Sequence, residues 1–417
     1  PPPEASDSGD LPTGDCAGSN PCEGSPTCNA KIVGLGRAFV KTIRHFWPGF
    51  NEQLNQLPDT RFAPFIEYEK KFLAWWGLLL FCLKLGSRRQ LDFDLGDDPQ
   101  PMLHNVNRLA STHQTSLPVH KTLNHFLGHV GPEAFARLRT WCVHRLIRMK
   151  ALDPFRLFGR FVVAVDGTTF LRFRNHHCEH CLTQRRGDTI LHLHPLLEVK
   201  LVAPCGLALS MGTEFIENPV PRTSSSQPLC EKPMTLSAYE KVKQDCELNA
   251  FARLAPALKR DFPQTPLCMA GDSLFACGPV LDICERHGWS FVLTFKPGRT
   301  PDLWRDFLAL LQLLPQNSLT QHLPDGAVRH YQWANDLSYL DKARRSHHFD
   351  AILLKETRKD KTTTFAWITD FHVTSTNVTA IAEKGGRVRS KIENQGFNSQ
   401  KNSGLNLEHA YTLDPDN

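Results

Sequence analysis

Two short apolar runs, each leading directly to an aspartate, constrain this chain more than any other feature. Phe161-Val162-Val163-Ala164-Val165 runs into Asp166-Gly167-Thr168-Thr169, and Leu267-Cys268-Met269-Ala270 runs into Gly271-Asp272. A continuous apolar run of this length without helical spacing reads as a strand buried on both faces, and such strands need helices covering the sheet on each side. The surrounding pattern supplies them. Helices are predicted over Leu236 to Lys259, with Tyr239, Val242, Cys246, Ala250 and Leu254 along one side, and over Ala276 to His287. Further strands are predicted over Thr189 to Val202, Leu207 to Phe215 and Phe291 to Phe295. Strand, helix and strand in this succession specify an α/β core.

At 417 residues and 41% hydrophobic content, the chain has material for two or three domains of about 100 to 200 residues each. Residues 1–30 are rich in Pro, Gly, Ser and Asp and are predicted to form a disordered tail, because they cannot bury enough apolar surface to offset the entropy of ordering. Cys16, Cys22 and Cys28 lie in that tail without a His or a second cysteine pair to complete a metal site. Residues 31–155 are predicted to form an all-helical N-terminal domain, with helices over Phe72 to Leu85, Val119 to Val130 and Pro132 to Ile147. The last of these repeats Phe135, Leu138, Trp141, Cys142, Arg145 and Leu146 at helical spacing. Arg88, Arg89, Arg137, Arg139, Arg145 and Arg148 give this domain a basic character suited either to phosphate contacts or to a solvated helix face. After Pro297-Gly298 comes a helix near Leu303 to Leu314, then strands near Val328 to Trp333, Ala351 to Lys355 and Thr363 to Thr369. We read residues 301–375 as a β-rich insertion, which leaves 156–300 and 376–412 as the core. The last element, Val378 to Gln400, has a helical pattern and carries Glu393.

Charge and cysteine usage exclude more than they identify. The net charge of +5 is compatible with a polyanionic partner without requiring one. Thirteen cysteines, an odd number scattered through apolar stretches, read as reduced thiols rather than a secreted disulfide framework. The longest apolar run, Phe72 to Leu83, falls short of the roughly 20 residues needed to cross a bilayer. The start of the chain does not resemble a signal peptide, so a cytoplasmic setting without membrane attachment is expected.

Aspartates at the carboxyl ends of adjacent buried strands stand where open α/β sheets place their ligand sites. Either one alone reads simply as a turn former. Together with Glu393 on a late helix they can hold a pair of Mg²⁺ or Mn²⁺ ions, which favour oxygen ligands. Four residues before and eight after Glu393, the same helical face presents Arg389 and Lys401; with Arg387 and Lys391 they form a candidate DNA-binding group. A second constellation is His176-His177-Cys178-Glu179-His180-Cys181, followed by His192 and His194. Cys178, Cys181, His192 and His194 have the number and type of ligands for tetrahedral Zn²⁺, and a polar, metal-free loop remains the alternative. Glu214, Glu217 and Glu247 read as hydrogen-bonding carboxylates, since nothing in their spacing selects them.

From about Ile66 to Tyr411 the chain resembles bacterial insertion-sequence transposases of the DDE class. The resemblance rests on Phe161-Val-Val-Ala-Val-Asp-Gly-Thr, Lys243-Gln-Asp-Cys-Glu-Leu-Asn-Ala, Ala270-Gly-Asp-Ser-Leu-Phe-Ala and Arg387-Val-Arg-Ser-Lys-Ile-Glu-Asn-Gln-Gly-Phe-Asn-Ser-Gln-Lys-Asn. It implies an RNase H-like core with a β-rich insertion before the last catalytic helix, and Asp166, Asp272 and Glu393 as the ligands of two metal ions. It also implies double-stranded DNA as partner, a homodimer on paired element ends and a nucleoid-associated place in a bacterial cytoplasm. Relative to the Tyr-Arg-Glu-Lys signature of that group, Gly386 stands in place of the tyrosine and Gln400 in place of the lysine, with Lys401 one position late and Ser390 where an aromatic is expected. These departures keep open a transposase-derived DNA-binding or regulatory protein without catalysis. A zinc hydrolase built on the His and Cys cluster is a further alternative from a different class.

Overall fold

The computed structural model describes residues 37–93, 98–176, 178–218 and 244–409. The predicted tail, with Cys16, Cys22 and Cys28, lies outside the described residues, as do His177, Tyr239 and Val242. The chain divides into two compact units at Phe50. In the first, residues 37–46 are helical.

Besides short helical turns at Phe50–Leu54 and Gln90–Phe93, the N-terminal part of the second unit carries helices α1 (Lys70–Cys82), α2 (Gln100–Ala110), α3 (His120–Gly128) and α4 (Pro132–Arg148). The apolar run of α1 is a buried helix, in which Phe72, Leu73, Trp75, Trp76 and Leu80 are shielded almost completely. Cys82, at its end, is exposed. α2 was not anticipated. Its apolar content is confined to a stripe of Leu103, Val106 and Ala110, one face of an otherwise polar segment. α4 is rotated from expectation, with Ala134, Val143 and Leu146 inward and Phe135 outward.

Among the described residues, ten strands follow in one mixed sheet. They are β1 (Phe161–Phe173), β2 (Leu182–Arg186), β3 (Thr189–Val202), β4 (Ala208–Phe215), β5 (Leu267–Gly271), β6 (Ser290–Thr294), β7 (Ser318–His322), β8 (Val328–Leu340), β9 (Ser346–Arg358) and β10 (Lys361–Thr369). The order is β2-β3-β1-β5-β6-β10-β9-β8-β7, and β4 pairs with β3 beyond the reach of β2. β1 is parallel to β5 and β5 to β6, whereas the remaining pairs are antiparallel. The interposed helices α5 (Glu247–Asp261) and α6 (Gly278–His287) make the two parallel crossovers possible. The β-rich stretch is not a detached layer. After α7 (Pro301–Leu313), its strands extend the central sheet through β10, which lies antiparallel to β6.

One expectation about β1 is corrected. The strand does not end in a turn at Asp166 but runs on to Phe173, because antiparallel β3 continues to pair with it as far as His192 after the parallel ladder to β5 stops at Val165 and Gly271. A register shift between Thr169 and Leu171 interrupts this extension.

The final helix, α8 (residues 378–402), lies across one face of the sheet. Its Val378, Ile381, Ala382, Val388, Ile392 and Phe397 join Val162, Ala164, Cys268, Ala270, Val292 and Trp367 in a single core cluster. The packing is close because glycines occur at the contacts. A methyl group at Gly386 would overlap the Trp367 ring, and one at Gly385 would press on Val292. α8 is not uniformly wound: residues 381–386 and 392–397 form wide i→i+5 turns flanking a tighter segment. Such turns often mark functional positions in helices.

Candidate functional site

Side chains alternate between faces along a strand. Val162 and Ala164 point into the cluster beneath α8, so Asp166 continues the same row; Cys268 and Ala270 do likewise, and Asp272 continues theirs. The last register pair of the parallel ladder is Val165 with Gly271, which places the two aspartates one step beyond it, side by side on adjacent strands. α8 covers that face and brings Glu393 to Asp166. Three elements distant in sequence therefore deliver carboxylates to one end of one sheet face.

Arg389 joins the last two. Its guanidinium is 3.3 Å from the Asp166 carboxylate and 2.7 Å from that of Glu393, four residues further along α8. Asp166 Oδ1 also accepts the Gly167 amide at 2.9 Å, and Asp272 Oδ1 accepts the Leu274 amide at 2.8 Å, so both aspartates are oriented by the backbone. Burial, followed by a hydrogen bond shared with Glu393, pushes the Asp166 carboxyl up to about 7, against the pull of Arg389. Burial acts upward on Glu393 too, but Arg389 and the hydrogen bond from Asp166 outweigh it and hold this carboxyl below its ordinary value. A shared proton lying mainly on Asp166 accounts for both directions.

A fourth carboxylate approaches from the opposite face. Glu247, in the first turn of α5, sits against Gly167, where any side chain at 167 would displace it. Burial and the Asp272 charge raise its carboxyl above the usual range. By spacing in the sequence alone, nothing separates Glu247 from Glu214 and Glu217. Glu214 instead pairs with Arg253 at 2.6 Å, and Glu217 lies 3.9 Å from His180. The signal that separates Glu247 is the glycine directly after Asp166, which leaves room for it.

The candidate DNA-binding residues divide. Arg387 is held by Glu356 at 2.8 Å and lies over the Phe365 ring, bracing α8 to the sheet. Lys401 donates to the Thr169 carbonyl at 3.0 Å, at the irregularity in β1, and pairs with Glu408. Arg389 is committed to the carboxylates, and Lys391 is half-buried on α8. On α4, Arg139 donates to Thr213 on β4 at 3.0 Å. Beneath α8, buried Lys200 pairs with Glu198, which also accepts from Gln400 at 3.5 Å.

In the second constellation, Cys178, Cys181 and His194 converge, the only three metal-ligand atoms among the described residues that lie within 4.8 Å of one another. The Asp166, Asp272 and Glu393 carboxylates are more widely spread than that. His192 does not join the group; it is buried, edge-on to the His176 ring at 5.4 Å. Among the described residues no helix is long and apolar enough to cross a membrane. Compared with known proteins, the chain matches no family model and no curated sequence.

Proposed function

We propose that the chain is a DNA transposase of the DDE type that cuts DNA and joins the freed end to a target, using Mg²⁺ or Mn²⁺ held by Asp166, Asp272 and Glu393. The observation that carries this reading is the delivery of those three carboxylates to one end of the sheet face covered by α8. The order β4-β3-β1-β5-β6, an antiparallel meander continued by two parallel crossovers, supports an RNase H-like core, with β7 to β10 as the insertion before the last catalytic helix.

The charge balance fits divalent cations. Asp166, Asp272, Glu393 and Glu247 crowd the site, Arg389 is the cation paired with Asp166 and Glu393, and the Asp166 carboxyl is pushed up first by burial and then by Glu393. When bound, two such ions activate the attacking oxygen and stabilise the departing one at phosphorus. Arg389 orients Glu393 towards Asp166, and the backbone amides of Gly167 and Leu274 fix the two aspartates. Double-stranded DNA is the partner in this reading, bound by a homodimer in a bacterial cytoplasm.

A supercoiled-plasmid assay tests it. Nicking should require Mg²⁺ or Mn²⁺, Ca²⁺ should support binding without efficient cleavage, and Asp272→Ala should abolish nicking. Plasmid that is bound but left intact under every metal condition favours the second reading, a DNA-binding relative without catalysis. The observation on that side is the Arg389 guanidinium lying between Asp166 and Glu393.

A further inference from the structure

We propose that Cys178, Cys181 and His194 form a Zn²⁺ site that clasps the β2–β3 hairpin to the loop leaving β1, independent of the carboxylate site and without His192. The ligands come from two segments. Cys178 and Cys181 belong to the turn between β1 and β2, and His194 lies within β3 opposite Leu171 of β1.

Two of the three ligand-to-ligand distances match the edges of a zinc tetrahedron. A tetrahedral zinc with Zn–S near 2.3 Å and Zn–N near 2.05 Å has S···S edges of about 3.8 Å and S···N edges of about 3.6 Å. The two sulfurs are 3.7 Å apart, and His194 Nε2 lies 3.6 Å from Cys178 Sγ and 3.1 Å from Cys181 Sγ. A disulfide needs sulfurs about 2.05 Å apart, so this spacing is not that of an oxidised pair. The turn is also shaped to present the two sulfurs. The Cys181 amide donates to the Cys178 carbonyl at 3.3 Å, and the amides of His180 and Cys181 face the Cys178 sulfur.

The surroundings hold the cluster in place. Asn218, just after β4, donates its side-chain amide to the Cys181 carbonyl at 3.0 Å and its backbone amide to the His180 carbonyl at 3.2 Å. The Phe170 and Phe173 rings flank His194 with centroids 6.2 and 6.0 Å away. Metal bound here ties β1, the hairpin and the segment after β4 together. Among the described residues no fourth His, Cys, Asp or Glu completes the tetrahedron.

The test is metal content of the full chain purified under reducing conditions and dialysed against metal-free buffer. Elemental analysis should find one zinc per chain, and Co²⁺ exchange should give tetrahedral d–d bands with a charge-transfer band of two-thiolate intensity. Cys178→Ser, Cys181→Ser and His194→Ala should each lose the zinc, whereas His192→Gln and Cys205→Ser, an exposed thiol elsewhere, should keep it. If the serine variants do not fold, the parent stoichiometry and cobalt spectrum still decide. Folded parent protein without zinc, a cobalt spectrum lacking thiolate charge transfer, or zinc lost with His192 but kept without His194 overturns the assignment.

Discussion

Replacing Asp166 by Asn should make the metal-free protein more stable at alkaline pH while removing what the site is proposed to do. Asp166 is driven from an ordinary 3.8 to about 7, chiefly by burial and then by Glu393. For an acid whose folded value is raised, the folded state keeps a proton that the unfolded chain has already lost. Stability therefore declines as pH rises from about 4 to about 7 and levels off above that. At about 1.4 kcal/mol per pH unit, the rise corresponds to at most about 4 kcal/mol. The Asp166 side chain is 16% accessible and the variant gives up its ion pair with Arg389, so a net gain of about 1–2 kcal/mol at pH 8 is expected. Glu393 acts in the opposite sense, since a lowered carboxyl contributes stability above its ordinary value that is lost on acidification; Arg389, the larger cause of that lowering, is present in both proteins. Urea unfolding at pH 5 and pH 8 reads the difference directly, and the advantage of the variant should shrink by about half or more at pH 5. Adding Mg²⁺ should stabilise the parent by mass action and leave Asp166→Asn almost unmoved. A variant less stable than the parent at pH 8, or one that gains as much from Mg²⁺, would refute the argument that crowded negative charge awaits a cation here.

Three further outcomes are expected. Glu393→Ala should reduce plasmid nicking by several powers of ten with DNA affinity in a gel-shift assay nearly unchanged, because cleavage needs the full set of carboxylates whereas affinity comes mainly from phosphate contacts. Lys200→Met should cost about 3–5 kcal/mol in urea unfolding by leaving Glu198 buried without its cation, and the double change with Glu198→Leu should recover most of it. Gly386→Ala should cost about 1–3 kcal/mol and lower nicking, because the added methyl meets Trp367 and lifts the helix that carries Glu393; Trp367→Leu in the same chain should relieve part of the stability loss.

The strands most readily found in the sequence were those whose own residues determine them. β3 occupies Thr189–Val202, the span its pattern predicts, and β5 and β6 lie within a residue of expectation. What escaped was set by partners. Asp166-Gly167-Thr168-Thr169 has turn composition, yet it is strand because β3 offers it a ladder. β7, Ser318–His322, is a polar edge strand without an apolar face to announce it. Nor does any local pattern indicate that β10 docks antiparallel on β6 and so fuses the β-rich stretch to the central sheet; that pairing joins segments some 70 residues apart and depends on the whole layer.

The site divides along the same line. Counting four residues back from Glu393 correctly puts Arg389 beside it, since an i,i+4 pair needs no more than one helical turn. Counting further does not give what faces the sheet, because two wide turns shift the phase of α8. The phase is fixed instead by close approach. Gly386 lets the helix settle on Trp367, and Gly396 lets it settle on the buried Lys200 stem, which fixes the height at which Glu393 meets Asp166. At Gly386 the space a larger side chain would take is filled by the Trp367 ring. The two histidines show the same limit on a strand. His192 and His194 are two apart and share a face, so spacing cannot rank them as ligands. The choice is made by how far the turn after Phe173 reaches along β3, which brings Cys181 to His194 and leaves His192 against His176.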